Sequence, residues 1–299
     1  MLRVDHLTKR YGALTAVDDL SFVVQPGRVT GFLGPNGAGK TTTLRIALGL
    51  VKASAGSVTF DDQPYGRLRR PARQVGASLE AASFHPGRSA LDHLRDLAPV
   101  LGAPDRRCAE VLELVGLSGA ARRRVGQFSL GMRGRLSLAT ALLGDPETLL
   151  LDEPTNGLDP EGIAWLRDLL RRLAQAGRTV LISSHLLSEV QQSVDDIVII
   201  AHGRLVLTGP LADLAQLDQP HTLVQPGDPT AFADLARQRS WALSPLPEGV
   251  EVTGPTAAEI GHVCCLAGLE LHQLASRRPG LEATFLALTE GPAPAETAR

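Results

Sequence analysis

The sequence predicts an α/β protein. A mostly parallel core sheet carries helices on both faces, with an antiparallel β addition, a helical subdomain and a small α+β C-terminal domain. Three observations lead there. Apolar runs of strand length alternate with helix-period segments through residues 1–215. A glycine-rich loop, Gly34–Thr41, sits between the apolar run "VTGFL" and a helix-forming stretch. The text "GPLADLAQLDQP" at 209–220 then breaks the pattern, and a new order of elements begins.

Strand-like runs come first, at Leu2–Leu7, Leu20–Val24 and Arg28–Leu33; the early ones form the antiparallel addition. A helix is expected from Gly39 to about Leu50, and "GSVTF" with Asp61 and Asp62 reads as a strand and turn. Residues 89–117 read as helical, with breaks at Pro99 and Gly102–Pro104, inside a helical subdomain of about 84–145. Next come the apolar run "TLLL", an amphipathic helix over Pro160–Ala176, the strand "RTVLISS", a short helix after His185 and the strand "DIVIIA". Residues 209–220 read as a helix followed by a break.

The second domain, 221–290, reads strand, helix, strand, strand, helix, strand, helix. The segments are Thr222–Gln225, Pro229–Gln238, Trp241–Leu243, Val250–Thr253, Thr256–Ala267, Leu269–Leu274 and Leu281–Thr289. That order fits a ferredoxin-like α+β arrangement. The tail 291–299 is expected to be disordered.

Composition limits the partners. The net charge of −2 supplies no global basic field for nucleic acid. Cys108 stands alone and Cys264 adjoins Cys265, so neither a disulfide framework nor a CxxC metal site is present, which suits a reducing cytosol. The start "MLRVDHLTKRYG" lacks a signal-peptide core. The most apolar runs fall far short of the ~20 residues of a membrane helix, so any membrane role must come through a partner.

Gly34–Thr41, "GPNGAGKT", matches G-x-x-x-x-G-K-[ST] in strand–loop–helix context. Gly34, Gly37 and Gly39 let backbone N–H groups turn toward phosphate oxygens, with Pro35, Asn36 and Ala38 between them. Lys40 would reach the β- and γ-phosphates, Thr41 would bind Mg²⁺, and Thr42 follows. The chain has three lysines against 27 arginines, yet uses lysine here. A compact ammonium fits between phosphates where a planar fork does not. Asp152 and Glu153 end a buried strand, where one acid can orient a metal's water shell and the next an attacking water. A second helix start, Ser129–Leu130–Gly131, precedes a helix-period run and is also built to receive an anion. His85 and His93 lack metal-ligand spacing with Cys partners.

These motifs together resemble the nucleotide-binding subunits of ABC transporters over residues 1 to about 215. "GPNGAGKTT" resembles that family's Walker A, "FSLGM" its signature, "LLLDEP" its Walker B with catalytic glutamate, "NGLD" its D-loop and "SSH" its switch histidine. The resemblance implies a P-loop NTPase cassette that binds ATP with Mg²⁺. Glu153, His185 and Lys40 would be catalytic, and Thr41 and Asp152 would hold the metal. It also implies a head-to-tail homodimer, in which Ser129 and Gly131 bind the γ-phosphate of ATP held by the other chain. Tyr11 resembles the aromatic that stacks on adenine, or else packs at its strand end. Asp159 matches the D-loop acid and would equally cap the helix at Pro160. Where the family commonly has glutamine this chain has Glu80, which retains an oxygen for metal contact while adding a charge.

"FSLGM", the stretch "FHPGRSALDHL" and "RPGLEATFLALTEG" resemble the ATPases of ABC-2-type exporters, including drug and bacitracin resistance systems. That implies a separate permease of about six membrane helices and a place on the cytoplasmic face of the membrane. Phe84, Pro86 and Leu91 would line its docking groove, or pack the helical subdomain. The rival class is a non-transport ABC ATPase, a DNA-repair or ribosome-associated factor; the chain shows no long insertion, second cassette or basic linker. "RRR" at 122–124 is too short to count. The transported substrate is not encoded here, since specificity lies with the permease.

Overall fold

A computed structural model describes residues 1–79, 84–216, 221–277 and 280–290. Glu80 and the tail 291–299 lie outside the described residues. The chain divides into two compact units, one built on Met1–Leu211 and the other on Ala212–Ala287.

The first unit opens with a long hairpin, β1 (Leu2–Tyr11) and β2 (Leu14–Val24), closed at Tyr11 and Leu14. Both strands run longer than their apolar runs suggest. Their outer halves alternate with polar residues, and irregularities at the left-handed His6 and Asp19 interrupt the apolar period. Then follow β3 (Val29–Leu33), α1 (Lys40–Ala47), β4 (Ala55–Phe60), α2 (Pro71–Gln74) and β5 (Val75–Ser78). Strand β4 pairs with β1, giving a three-stranded antiparallel sheet in the order β2-β1-β4.

The helical subdomain holds α3 (Ala90–Leu101), α4 (Asp105–Leu114) and α5 (Leu130–Leu142). Pro99 does not break α3 but sits in its last turn, and the helix ends at Gly102 in the left-handed region (φ 66°). A proline there costs only a hydrogen bond to the turn before it, while the bare glycine accepts the reversal. Leu94, Val111, Leu112, Leu136 and Leu142 are buried.

The chain then forms β6 (Thr148–Leu151), α6 (Pro160–Gln175), β7 (Thr179–Ser184), α7 (Leu187–Val190), β8 (Asp196–Ala201), β9 (Arg204–Pro210) and α8 (Leu211–Gln216). The main sheet runs β5-β6-β7-β3-β8-β9, parallel except for β9. Strand β9 was not expected. Its alternately exposed positions fit an edge strand with one solvated face, and a short hairpin turn ties it to β8. The two sheets share one core in which Leu2, Leu20 and Phe22 join Phe32, Leu44 and Val198. The Phe22 and Phe32 rings lie 5.2 Å apart. Each such side chain contributes about 1.5–3 kcal/mol through burial.

Register positions the chemistry. Leu151 pairs with Ile182, and Leu33 with Ser184. The residues that follow β3, β6 and β7 therefore emerge side by side at the carboxyl edge of one parallel sheet, where open α/β sheets bind ligands.

The second unit begins within α8 and continues with β10 (His221–Pro226), α9 (Pro229–Gln238), β11 (Ala242–Leu246), β12 (Gly249–Thr253), α10 (Ala257–Leu266), β13 (Leu271–Arg277) and the first part of α11 (Gly280–Glu290). Its sheet is antiparallel in the order β11-β12-β10-β13, the ferredoxin-like arrangement. Val224, Phe232, Val252, Ile260 and Cys264 form its core. Thr256 and Glu259 close a reciprocal capping box on α10.

Candidate functional site

The loop after β3 is shaped by what its glycines lack. A Cβ on Gly34 would lie 2.3 Å from the Ile200 carbonyl oxygen. One on Gly39, at φ 104°, would lie 2.5 Å from the Ala16 carbonyl oxygen. Only glycine permits this approach, which sets Lys40 at the first turn of α1. Asn36, Gly37, Ala38, Thr41 and Thr42 line a cleft of about 500 Å³.

Lys40 is 6% exposed. Its Nζ donates to the Gly34 carbonyl at 2.6 Å and to that of Pro35 at 3.3 Å, and lies 3.6 Å from Glu153 Oε1. Burial pushes the ammonium below its ordinary value, while Glu153 and Asp152 act in the opposite direction. Thr41 Oγ1 donates to Asp152 Oδ2 at 2.8 Å. A lysine satisfied only by carbonyls and one carboxylate, beside a hydroxyl–carboxylate pair, suits a polyphosphate with a hard divalent cation.

The two acids are tied by one residue that the motifs did not single out. Ser183, fully buried on β7, donates its hydroxyl to Asp152 Oδ1 and accepts the Glu153 N–H at 2.9 Å. Glu153 sits at φ 47°, an uncommon conformation for a side-chain-bearing residue, which this bond helps hold. Its Oε2 lies 2.9 Å from His185 Nδ1. Lys40, Glu153 and His185 thus form one chain of contacts. The signal for Ser183 was present in "SSH", but its role depends on the pairing of β6 with β7.

Ser129 and Gly131 lie elsewhere. Together with Asp159 they line a second cleft of about 390 Å³. Ser129 caps α5, its Oγ accepting the Met132 N–H at 3.2 Å. Asp159 caps α6, its Oδ1 accepting the Gly162 N–H at 2.8 Å. Gly131 presses against the segment before α6: a Cβ there would lie 2.8 Å from the Gly157 carbonyl oxygen. Tyr11 is 47% exposed, with Lys9 Nζ 4.6 Å over its ring, and is not among the residues lining the first cleft. Arg135 and Trp165, which lie outside the sequence motifs, do line it.

Phe84 packs edge-on against His93 at 4.9 Å, the Pro86 carbonyl accepts the Gly126 N–H, and the Leu91 N–H donates to the Ala121 carbonyl. These contacts lie within the helical subdomain. Burial, and after it Arg88, push the His93 imidazole below its ordinary value. His85 Nδ1 accepts the Gly87 N–H.

Residues 17–156 match the family model described as ABC transporter. The chain is 40% identical over 241 residues, 80% of its own length and 79% of the relative's, to the bacitracin transport ATP-binding protein BcrA of Bacillus licheniformis. It is 34% identical over 301 residues, 96% of each chain, to the Nod factor export ATP-binding protein I of Paraburkholderia xenovorans. A solved ATP-binding subunit of an ABC transporter superposes with a TM-score of 0.66 at 27% identity, covering 72% of this chain and 92% of that one. With the phosphate loop, the paired acids and the histidine gathered at one sheet edge, the chain belongs to the ATP-binding subunits of the ABC transporter family.

Proposed function

We propose that this chain is the Mg²⁺-dependent ATPase of an ABC-2-type exporter, acting as a head-to-tail homodimer on a separate membrane permease. The observation that carries the reading is the convergence of Lys40, Thr41, Asp152, Glu153 and His185 on one cleft. Lys40 and the loop glycines hold phosphates; Thr41 and Asp152 supply oxygens for the cation. The bound nucleotide and metal supply the scissile anhydride and its charge neutralisation. Glu153 orients water, and His185 sets the carboxylate's direction. Ser129, Gly131 and Asp159 meet the nucleotide of the second copy, which accounts for two phosphate-facing helix starts in one chain.

The bacitracin-transport and Nod-factor-export relatives support the exporter class. No described helix is long and apolar enough to cross a membrane. The exporter reading gives the chain a peripheral place on the cytoplasmic face, beside a permease of about six membrane helices.

Purified protein should hydrolyse ATP only with a divalent cation. Lys40→Ala should lose ATP affinity. Glu153→Gln should bind ATP, turn over at least about a hundredfold more slowly, and accumulate as an ATP-bound dimer. Wild-type turnover in Glu153→Gln refutes the assignment. Purification from membranes should bring down a polytopic partner; its absence refutes the exporter reading.

A further inference from the structure

The two clefts share two lining residues, Arg135 and Leu158. Arg135 lies on α5, beyond the turn that carries Ser129 and Gly131. Its guanidinium carbon sits 4.4 Å from the ring centroid of Trp165, which lines the first cleft from α6. Its Nη1 approaches the Val115 carbonyl at 3.4 Å, at the C-terminal cap of α4. The next residue, Gly116, has φ +71°, and a Cβ there would lie 3.1 Å from the same Nη1. Gly116 and Leu117 line the second cleft. One cation therefore touches a wall of each cleft.

Among the described residues no carboxylate pairs with Arg135, so its charge rests on a ring face and a carbonyl. Anionic charge arriving in either cleft shifts that balance. We propose that Arg135, braced on Trp165, is a positioning residue that couples nucleotide occupancy of the chain's own cleft to the shape of the cleft it offers a second copy. This inference rests on the two-copy reading above. Trp165 supplies the π face, and Gly116 leaves room for the fork; a lysine cannot stack in this way.

The test uses the full chain in a Glu153→Gln background with MgATP, reading nucleotide affinity at low protein concentration and self-association by sedimentation. Because both side chains line the first cleft, association is compared at MgATP concentrations that saturate each protein; there Arg135→Met and Trp165→Leu should each weaken self-association about tenfold, the scale of a partly desolvated cation–π contact. Trp165→Phe, which keeps a π face, should recover most of the association. The double variant Arg135→Met/Trp165→Leu should be no weaker than either single one, because the two act as one unit. The inference is overturned if Trp165→Leu associates like the parent, if the two losses multiply, or if either variant loses nucleotide binding outright. A parent that does not associate with MgATP overturns the two-copy reading and this inference with it; a parent that associates alongside unaffected variants overturns the inference alone.

Discussion

Ser183→Ala removes a hydroxyl that makes two bonds at the heart of the site. The hydroxyl donates to Asp152 Oδ1 and accepts the Glu153 N–H. A hydrogen bond to a charged group contributes about 1.5–3 kcal/mol, and a buried donor left without an acceptor costs about 1–3 kcal/mol. Ser183 is fully buried, so solvent does not replace the hydroxyl freely. Asp152 keeps its bond from Thr41, which limits the loss on that side. The expected cost is about 3 kcal/mol of stability. Spread over a unit of this size, it should lower the melting temperature by about 6–12 °C. Scanning calorimetry on wild type and variant measures this, with the transition of the first unit compared between them. Turnover should fall in parallel, because the backbone of Glu153 loses the anchor that holds its left-handed conformation. A loss under about 0.5 kcal/mol, the range of an ordinary surface change, would refute the view that this hydroxyl ties the two acids together.

Gly39→Ala should be as damaging by a different route. It adds a Cβ at φ 104° toward a carbonyl oxygen 2.5 Å away, and should cost about 2–4 kcal/mol by thermal unfolding together with most ATP affinity. Mixing Ser129→Arg with Lys40→Ala chains should restore hydrolysis that neither shows alone, since one of the two composite sites is then intact; an ATPase assay of the reconstituted complex reads it, and substantial hydrolysis by Ser129→Arg alone refutes the shared site. His93, whose folded pKa is depressed by burial and by Arg88, stays neutral at a pH where the unfolded chain takes up a proton. Stability should therefore fall as pH drops below about 6.5 toward the folded value, and His93→Gln should flatten that slope in urea titrations across pH.

Much of this site was legible in the sequence because its parts are local. The Gly34–Thr41 loop carries its own geometry in its glycines and lysine. Asp152 and Glu153 announce themselves at the end of an apolar run, and the ferredoxin-like order of the second unit follows from segment order alone. What was not legible depends on register. Ser183 meets Asp152 only because Leu151 pairs with Ile182 across β6 and β7. Arg135 meets Trp165 only because the fold brings one residue of α5 and one of α6, separated in the chain by β6, to the same cleft. Strand β9 hid because half its residues face solvent, leaving no apolar run. Asp159 and Ser129 each make a local bond as helix caps, and a single chain displays that use of them before any other.

Lys40 already has partners of its own in Glu153 and the loop carbonyls. An incoming anion must outcompete a carboxylate that is tethered in place and loses nothing by staying. A lone phosphate or a nucleoside monophosphate brings little to that contest. Under the proposed function, a triphosphate with its cation would bring several contacts at once, to the lysine, the loop N–H groups and the Thr41–Asp152 oxygens. Under the proposed function this ion pair would set a threshold that small anions fail to cross.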